Sequence, residues 1–218
     1  MKSQTNYCLL AGNYICPIAF PQEYDYLLDE ANRSYTNEWL GGLDMRLARV
    51  GVDGAFFMAP VVLQPQHVTK IRDDILRYRD TYGPYLQMLQ LIREGSPDFT
   101  FTPGEFVSLA TLMQSVSESA TLDSRLRSMA LFIRDAQQRF NQRELIKKLL
   151  DHLKADGYLI LANATSEIYQ LTGKVDQIKS VLHYLAENSE IVSTVEDDPK
   201  DAASDLFDEA VANGNSGT

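Results

Sequence analysis

The chain has only two cysteines, Cys8 and Cys16, and three histidines, His67, His152 and His183, among its 218 residues. A structural zinc site takes four ligands at short paired spacings and a disulfide framework takes several cysteines, so neither organises this protein. Both cysteines stand among small and apolar residues and read as buried free thiols. No run of about 18 apolar residues occurs, which leaves no candidate transmembrane helix and no expected membrane partner. The stretch Met1 to Leu10 holds one lysine and no sustained apolar core. That pattern is not a secretory signal, and a cytoplasmic protein is expected. Signatures of catalysis are missing as well. There is no GxxxxGK loop followed by Ser or Thr, no GxSxG elbow and no HExxH pair, and Gly173-Lys174 lacks the glycine-rich turn that cradles phosphate. No catalytic residue, metal or cofactor is expected, and an enzyme is the disfavoured class.

What the chain does have is charge, unevenly placed. Twenty Lys and Arg against thirty Asp and Glu give a net charge of −10. Residues 187–218 hold nine acids against Lys200 alone, so that tail carries −8. Residues 20–54 are also acidic, with seven acids against Arg33, Arg46 and Arg49. Residues 125–154 run the other way, where Arg125, Arg127, Arg134, Arg139, Arg143, Lys147, Lys148 and Lys154 face only Asp135, Glu144 and Asp151, for +5. An acidic total thus hides a basic centre, and the overall charge is a poor guide to partners.

Periodicity gives the organisation. Pro21 and Glu23 open a helix expected to run through Asn32 with Tyr24, Leu27, Leu28 and Ala31 inward. A second is expected over Thr36 to Asp44, burying Trp39, Leu40 and Leu43. The strand-like runs RLARV and AFFMA follow, joined by Gly51-Val52-Asp53-Gly54 as a hairpin. A helical segment carries Val68, Ile71, Ile75, Tyr78 and Tyr82, breaks at Gly83-Pro84, and continues to Glu94 before Gly95 and Pro97 stop it. Then Phe99 to Thr102 reads as a short alternating strand and Thr102-Pro103-Gly104-Glu105 as a helix entry. That helix carries Phe106, Leu109, Ala110 and Met113. Thr121 caps another, with Leu122, Leu126, Met129, Ala130 and Ile133 inward. Asn141 with Glu144 forms a capping-box pattern for a helix burying Leu145, Ile146, Leu149, Leu150 and Leu153 and ending at Gly157. YLIL and IYQL make a second hairpin across residues 162 to 167, and a last helix spans Gly173 to Glu187.

Helices followed by a two-stranded hairpin are the winged-helix order, met twice. The fold class expected is mainly α with small β-hairpins (α+β), as tandem winged-helix domains joined by a helical connector. The domains are residues 1–64, the N-terminal winged helix; 65–95, the connector; 96–190, the C-terminal winged helix; and 191–218, an acidic disordered tail. The tail cannot bury enough apolar surface to offset chain entropy. Its Leu206, Phe207 and Val211 are spaced to fold as a short helix upon a partner.

In the second module the helix from Gln142 to Ala155 occupies the recognition-helix position. Arg143, Lys147 and Lys154 lie away from its apolar face, with Lys148 beside them. Arg125, Arg127 and Arg139 are candidates for phosphate contacts. The seven are the DNA-binding candidates. Charge alone leaves a solvated helix face equally open, since Lys and Arg line such faces routinely. Base-reading Asn or Gln are lacking on that face, so any DNA binding is expected to be backbone-dominated and weakly sequence-specific.

Three stretches carry a family resemblance: LLAGNYICPIAFPQEYDYLL, RLARVGVDGAFFMAP, and RELIKKLLDHLKADGYLI with IYQLTGKVDQIKSVLHYLAEN. In their order and spacing the chain resembles the MukE/MksE group of accessory subunits of bacterial condensins, closer to MksE, across about residues 6 to 190. The resemblance implies a kleisin-interacting tandem winged-helix element that is a homodimer, binds the kleisin subunit and, through it, the SMC ATPase. It also implies a nucleoid-associated complex that loads on DNA in chromosome condensation and segregation, or in plasmid defence. ATP hydrolysis would belong to the SMC partner. A winged-helix transcription regulator is the alternative, and an assembly adaptor that meets only an acidic kleisin segment is a third class.

Overall fold

A computed structural model describes residues 1–62, 83–96, 99–130 and 140–180. The elements run α1 (Lys2–Leu10), α2 (Pro21–Leu28), α3 (Glu30–Gly41), β1 (Met45–Arg49), β2 (Phe56–Pro60), α4 (Gly83–Gly95), β3 (Phe106–Ser108), α5 (Leu109–Glu118), α6 (Ala120–Ala130), α7 (Gln142–Ala155), β4 (Leu159–Asn163) and β5 (Ile168–Leu171). Residues 175–180 are again helical. The class is mixed helix and strand, with two small antiparallel sheets. Residues Met1–Asp176 form one compact unit, and a second begins at Gln177. Among the described residues no helix is long and apolar enough to cross a membrane.

The first half closes around Cys8, Leu9, Ile15, Leu27, Leu40 and Phe56, with Trp39, Met45, Leu47 and Met58 packed against them. Helix α1 has no apolar stripe, only Thr5, Cys8 and Leu9 turned inward, and the sequence reading did not foresee it. The helix expected from Pro21 through Asn32 is broken at Asp29. That residue takes an extended backbone and its carboxylate accepts the Asn32 N–H, capping a new helix, α3. In consequence Leu28 and Ala31 face solvent, and so does Leu43. The hairpin falls where expected, with Arg49 paired to Phe56. Arg49 fastens it to α2: its guanidinium donates to the Gly54 carbonyl at 3.1 Å and to the Tyr24 hydroxyl at 2.8 Å, and lies 4.6 Å above the Phe56 ring. Ahead of α2, Ile15 forms an isolated antiparallel bridge to Phe56 of β2.

The second half shares one pairing with the first, but sets three helices, α5, α6 and α7, before its hairpin where the first sets two after Ile15. Its sheet has the order β3-β5-β4, so the strand that precedes the helical layer pairs with the last strand of the hairpin, as Ile15 does with β2. Helix α4 packs on α5 and α6, α5 and α6 pack on α7, and α7 packs on β4. The expected strand over Phe99 to Thr102 is absent, and β3 lies at Phe106–Ser108, where a helix was expected to have begun. Two backbone facts cause the shift. Gly104 adopts φ +99°, which excludes a helical entry there, and backbone bonds join Gly104 N–H to the Leu171 carbonyl and Leu171 N–H to the Glu105 carbonyl, each at 2.9 Å. The helix therefore waits for Ser108, whose hydroxyl caps it by accepting the Thr111 N–H. Similarly α6 is capped by Ser119, not Thr121.

Among the described residues the halves meet at Gly173 and Lys174. The Gly173 N–H donates to Cys16 Sγ at 3.2 Å, and Ala19 N–H donates to the same sulfur at 3.4 Å. Both cysteines are free and buried, as expected. Lys174 next door donates to the Asp156 carbonyl at 2.6 Å and lies 4.7 Å from the Tyr158 ring centre and 5.6 Å from that of Tyr14. Burial pushes its ammonium pKa down. The expected helical stretch at 65–82 and the acidic tail at 191–218 lie outside the described residues, as do Ile133 and the end of the last helix.

Candidate nucleic-acid interface

Helix α7 starts at a complete capping box. Asn141 Oδ1 accepts the Glu144 N–H and Glu144 Oε2 accepts the Asn141 N–H, both at 2.9 Å. Two of the four orphan donors at the helix start are thereby accounted for, which fixes where the helix begins. Leu145, Ile146, Leu149, Leu150 and Leu153 are all buried, so the rotation of the helix is fixed too. Gln142 ties it to α6 by donating to Asp123 Oδ1 at 3.2 Å.

With α7 so placed, one stripe at four-residue spacing, Arg143, Lys147 and Asp151, meets the β4–β5 hairpin. Asp151 accepts the Tyr169 hydroxyl at 3.0 Å. Lys147 Nζ donates to Glu167 Oε1 at 2.9 Å, while Arg143 donates to Glu167 Oε2. Glu167 ends the turn. Asn163 Oδ1 folds that turn by accepting the N–H groups of Thr165 and Ser166, and Glu167 itself stands at φ +50°. The hydrogen-bonded Lys147 ammonium foremost, and then the Arg143 guanidinium, hold the Glu167 carboxyl below the ordinary carboxylate pKa, against an opposing contribution from burial.

The remaining candidates are dispersed. Arg125 on α6 holds both carboxylate oxygens of Glu94 on α4, at 2.6 and 2.7 Å. Arg127 pairs along α6 with Asp123 at 2.8 Å. Lys148 lies 4.2 Å over the Phe140 ring in a cation–π contact, and among the described residues it makes no ion pair. Lys154 is exposed near the far end of α7, and among the described residues it makes no ion pair. Arg139 lies outside the described residues. The structure thus brings Arg143 and Lys147 together on Glu167, sets Lys148 over Phe140, and holds Arg125 and Arg127 in separate pairs on α6.

Two participants escaped the sequence reading: Glu167 and Phe140. Glu167 is the single acid in the turn between YLIL and IYQL, and the hairpin layout alone brings that turn to the start of α7. A groove of about 610 Å³ flanks the hairpin, lined by Phe106, Ser108, Thr111, Asn163 and Ile168 among others. Its Ser108 and Asn163 side chains are already engaged with local backbone. Among the described residues no three His, Cys, Asp or Glu side chains gather as a metal site would require. What the arrangement offers chemically is a rigid cationic surface for an anion. No protein-family model matches the chain, and no curated protein matches it in sequence.

Proposed function

We propose that this chain is a non-catalytic, tandem winged-helix accessory subunit of a bacterial SMC–kleisin condensin, of the MukE/MksE kind and closer to MksE. The observation that carries the reading is a pairing met in both halves: a segment earlier in the chain, Ile15 as an isolated bridge in the first and β3 in the second, pairs with the last strand of the closing hairpin. A winged helix has that topology, and α7, docked on the second hairpin, takes the recognition-helix place in it. The assembly role rests on the three resembling stretches, in their order and spacing. On this reading the subunit is a nucleoid-associated homodimer that binds the kleisin, reaches the SMC ATPase through it, and contributes to chromosome condensation and segregation or to plasmid defence. Its DNA contact is to the backbone, with little sequence preference.

The test is co-purification from native cells with mass spectrometry of what stays bound. A kleisin together with an SMC ATPase is the expected result. The protein alone, as a dimer on one discrete DNA sequence, would overturn the condensin reading in favour of a transcription regulator. Charge reversal at Arg143, Lys147 and Lys148 tests the DNA surface. Binding retained by a variant with unchanged thermal stability places that surface elsewhere.

A further inference from the structure

We infer that Arg143 and Lys147 form a seat for one nucleic-acid phosphate, and that in the free protein this seat is occupied by the protein's own Glu167. The inference rests on the reading of α7 as a DNA-binding face and adds to it a built-in competitor. Binding at this point of the surface is an exchange of one anion for another.

Three observations carry it. First, the carboxylate offers its two oxygens to two different cations, one to Lys147 and one to Arg143. The two non-bridging oxygens of a phosphodiester present the same pair of acceptors, and both cations suit that ligand. Second, the cations keep an open side. The Glu167 side chain is 20% exposed, whereas Arg143 and Lys147 are 53% and 47% exposed. A phosphate can therefore reach both from solvent without unfolding α7, whose position is set by its cap and its buried leucines. Third, Glu167 is delivered by a built turn and not by chance contact of a long surface chain. The Asn163 side chain folds the turn and a left-handed residue ends it, which aims the carboxylate at α7. An acceptor held in place this way competes at a high effective concentration. The free protein thus shows fewer available cations than residues 125–154 contain, and DNA must displace Glu167 to reach two of them.

The experiment is fluorescence anisotropy of a short labelled duplex, at low salt, with the full chain. Removing Glu167 as competitor by Glu167→Gln should tighten binding between about twofold and thirtyfold, the range expected for releasing two exposed ion pairs. Glu118→Gln is the control. It removes the same charge from the same half of the protein, at a carboxylate that, among the described residues, accepts from Gln114 alone. The gain should exceed that of the control and should vanish in an Arg143→Gln/Lys147→Gln background. Glu167→Asn, a residue type that tolerates a left-handed backbone, serves as the second variant should Gln disturb the turn. If Glu167→Gln and Glu118→Gln bind alike while Arg143→Gln/Lys147→Gln weakens binding, the exchange is refuted and the DNA-binding face stands. If parent and variants are folded and none binds the duplex, the DNA-binding face itself is refuted and the exchange with it.

Discussion

Gly173 of the second half packs tightly against Cys16 and Ala55 of the first, and Gly173→Ala tests whether that approach is as rigid as the geometry states. A Cβ built on Gly173 lies 2.8 Å from Cys16 Cβ, 3.3 Å from Ala55 Cβ and 3.5 Å from Cys16 Sγ. The two nearest atoms are Cβ atoms, which no rotamer change can move, and Cys16 and Ala55 are 1% and 0% exposed. Relief therefore requires backbone displacement. Overpacking of this kind costs about 1–3 kcal/mol, and a shortest contact of 2.8 Å places the cost in the upper half of that range. Against it stands a gain of about 0.4–1 kcal/mol from the stiffer unfolded chain, since the backbone at Gly173 is not left-handed and Ala can adopt it. The net destabilisation is about 1–2.6 kcal/mol, or a fall in Tm of about 2–10 °C for a chain of this size. Thermal denaturation followed by circular dichroism measures it. A companion variant separates contact from general disruption. Cys16→Gly removes both Cys16 atoms from the path of the new methyl, whereas Cys16→Ala leaves the Cβ at 2.8 Å. In the double-mutant cycle Cys16→Gly should therefore recover about 1 kcal/mol of coupling with Gly173→Ala, and Cys16→Ala should recover little. A Gly173→Ala protein as stable as its parent would refute the argument.

Two further predictions concern the second half. Asn141→Ala removes half of the capping box and should cost about 1 kcal/mol, seen as a fall in Tm of about 2–4 °C, with Asn141→Asp restoring most of it. Tyr169 governs the alkaline side. Burial first, and then its bond to Asp151 and that carboxylate's charge, push the phenol up to about 12 from 10.0. Because the folded pKa is the higher one, this contribution is complete below about pH 10 and is lost as pH rises toward 12. Urea melts of Tyr169→Phe across that window should show a shallower alkaline loss of stability than the parent, after about 1 kcal/mol lost at neutral pH with the hydrogen bond.

The features that could be read from the sequence are those decided within one or two helical turns. Asn141 and Glu144 cap each other across three residues, and the leucines of α7 repeat at helical steps, so that helix was placed correctly from end to end. The hairpins were legible for the same reason, with their turn residues lying between strand-like runs. Elsewhere a non-local partner decided the outcome. Phe99 to Thr102 alternates as a strand would, yet the strand forms at Phe106–Ser108 because β5 pairs there. The apolar pattern from Tyr24 runs past Asp29 without a sign of the break, since an aspartate within a helix and an aspartate capping the next one look alike in sequence. Helix α1 is polar on most of its surface and offered no period to detect. The candidate site was legible as a set of cations and illegible as an arrangement, because its carboxylates come from afar: Glu94 is 31 residues from Arg125, and Glu167 is 24 and 20 residues from Arg143 and Lys147.

That distinction between charge counted and charge available leads to a measurement of salt dependence. A cation that meets a phosphate normally sheds a solution ion from the DNA, and each such contact adds about −0.9 to the slope of log affinity against log salt. On that counting, Arg143→Gln/Lys147→Gln should flatten the slope by about 2 units. In the folded protein, however, Arg143 and Lys147 already hold Glu167. When DNA takes them, the phosphate replaces a protein carboxylate, and the freed carboxylate remains beside the DNA as a fixed negative charge. The net neutralisation of the duplex by this trio is then near one charge and not two. Removing the carboxylate alone, by Glu167→Gln, should accordingly steepen the slope by about 1 unit, because two charges then neutralise the duplex in place of one. Arg143→Gln/Lys147→Gln should weaken binding and flatten the slope by about 2 units in either background, because Glu167, where present, stays beside the DNA with or without the two cations. Equal slopes for the parent and Glu167→Gln would mean that Glu167 has no part in the electrostatics of binding, whatever its contacts in the free protein.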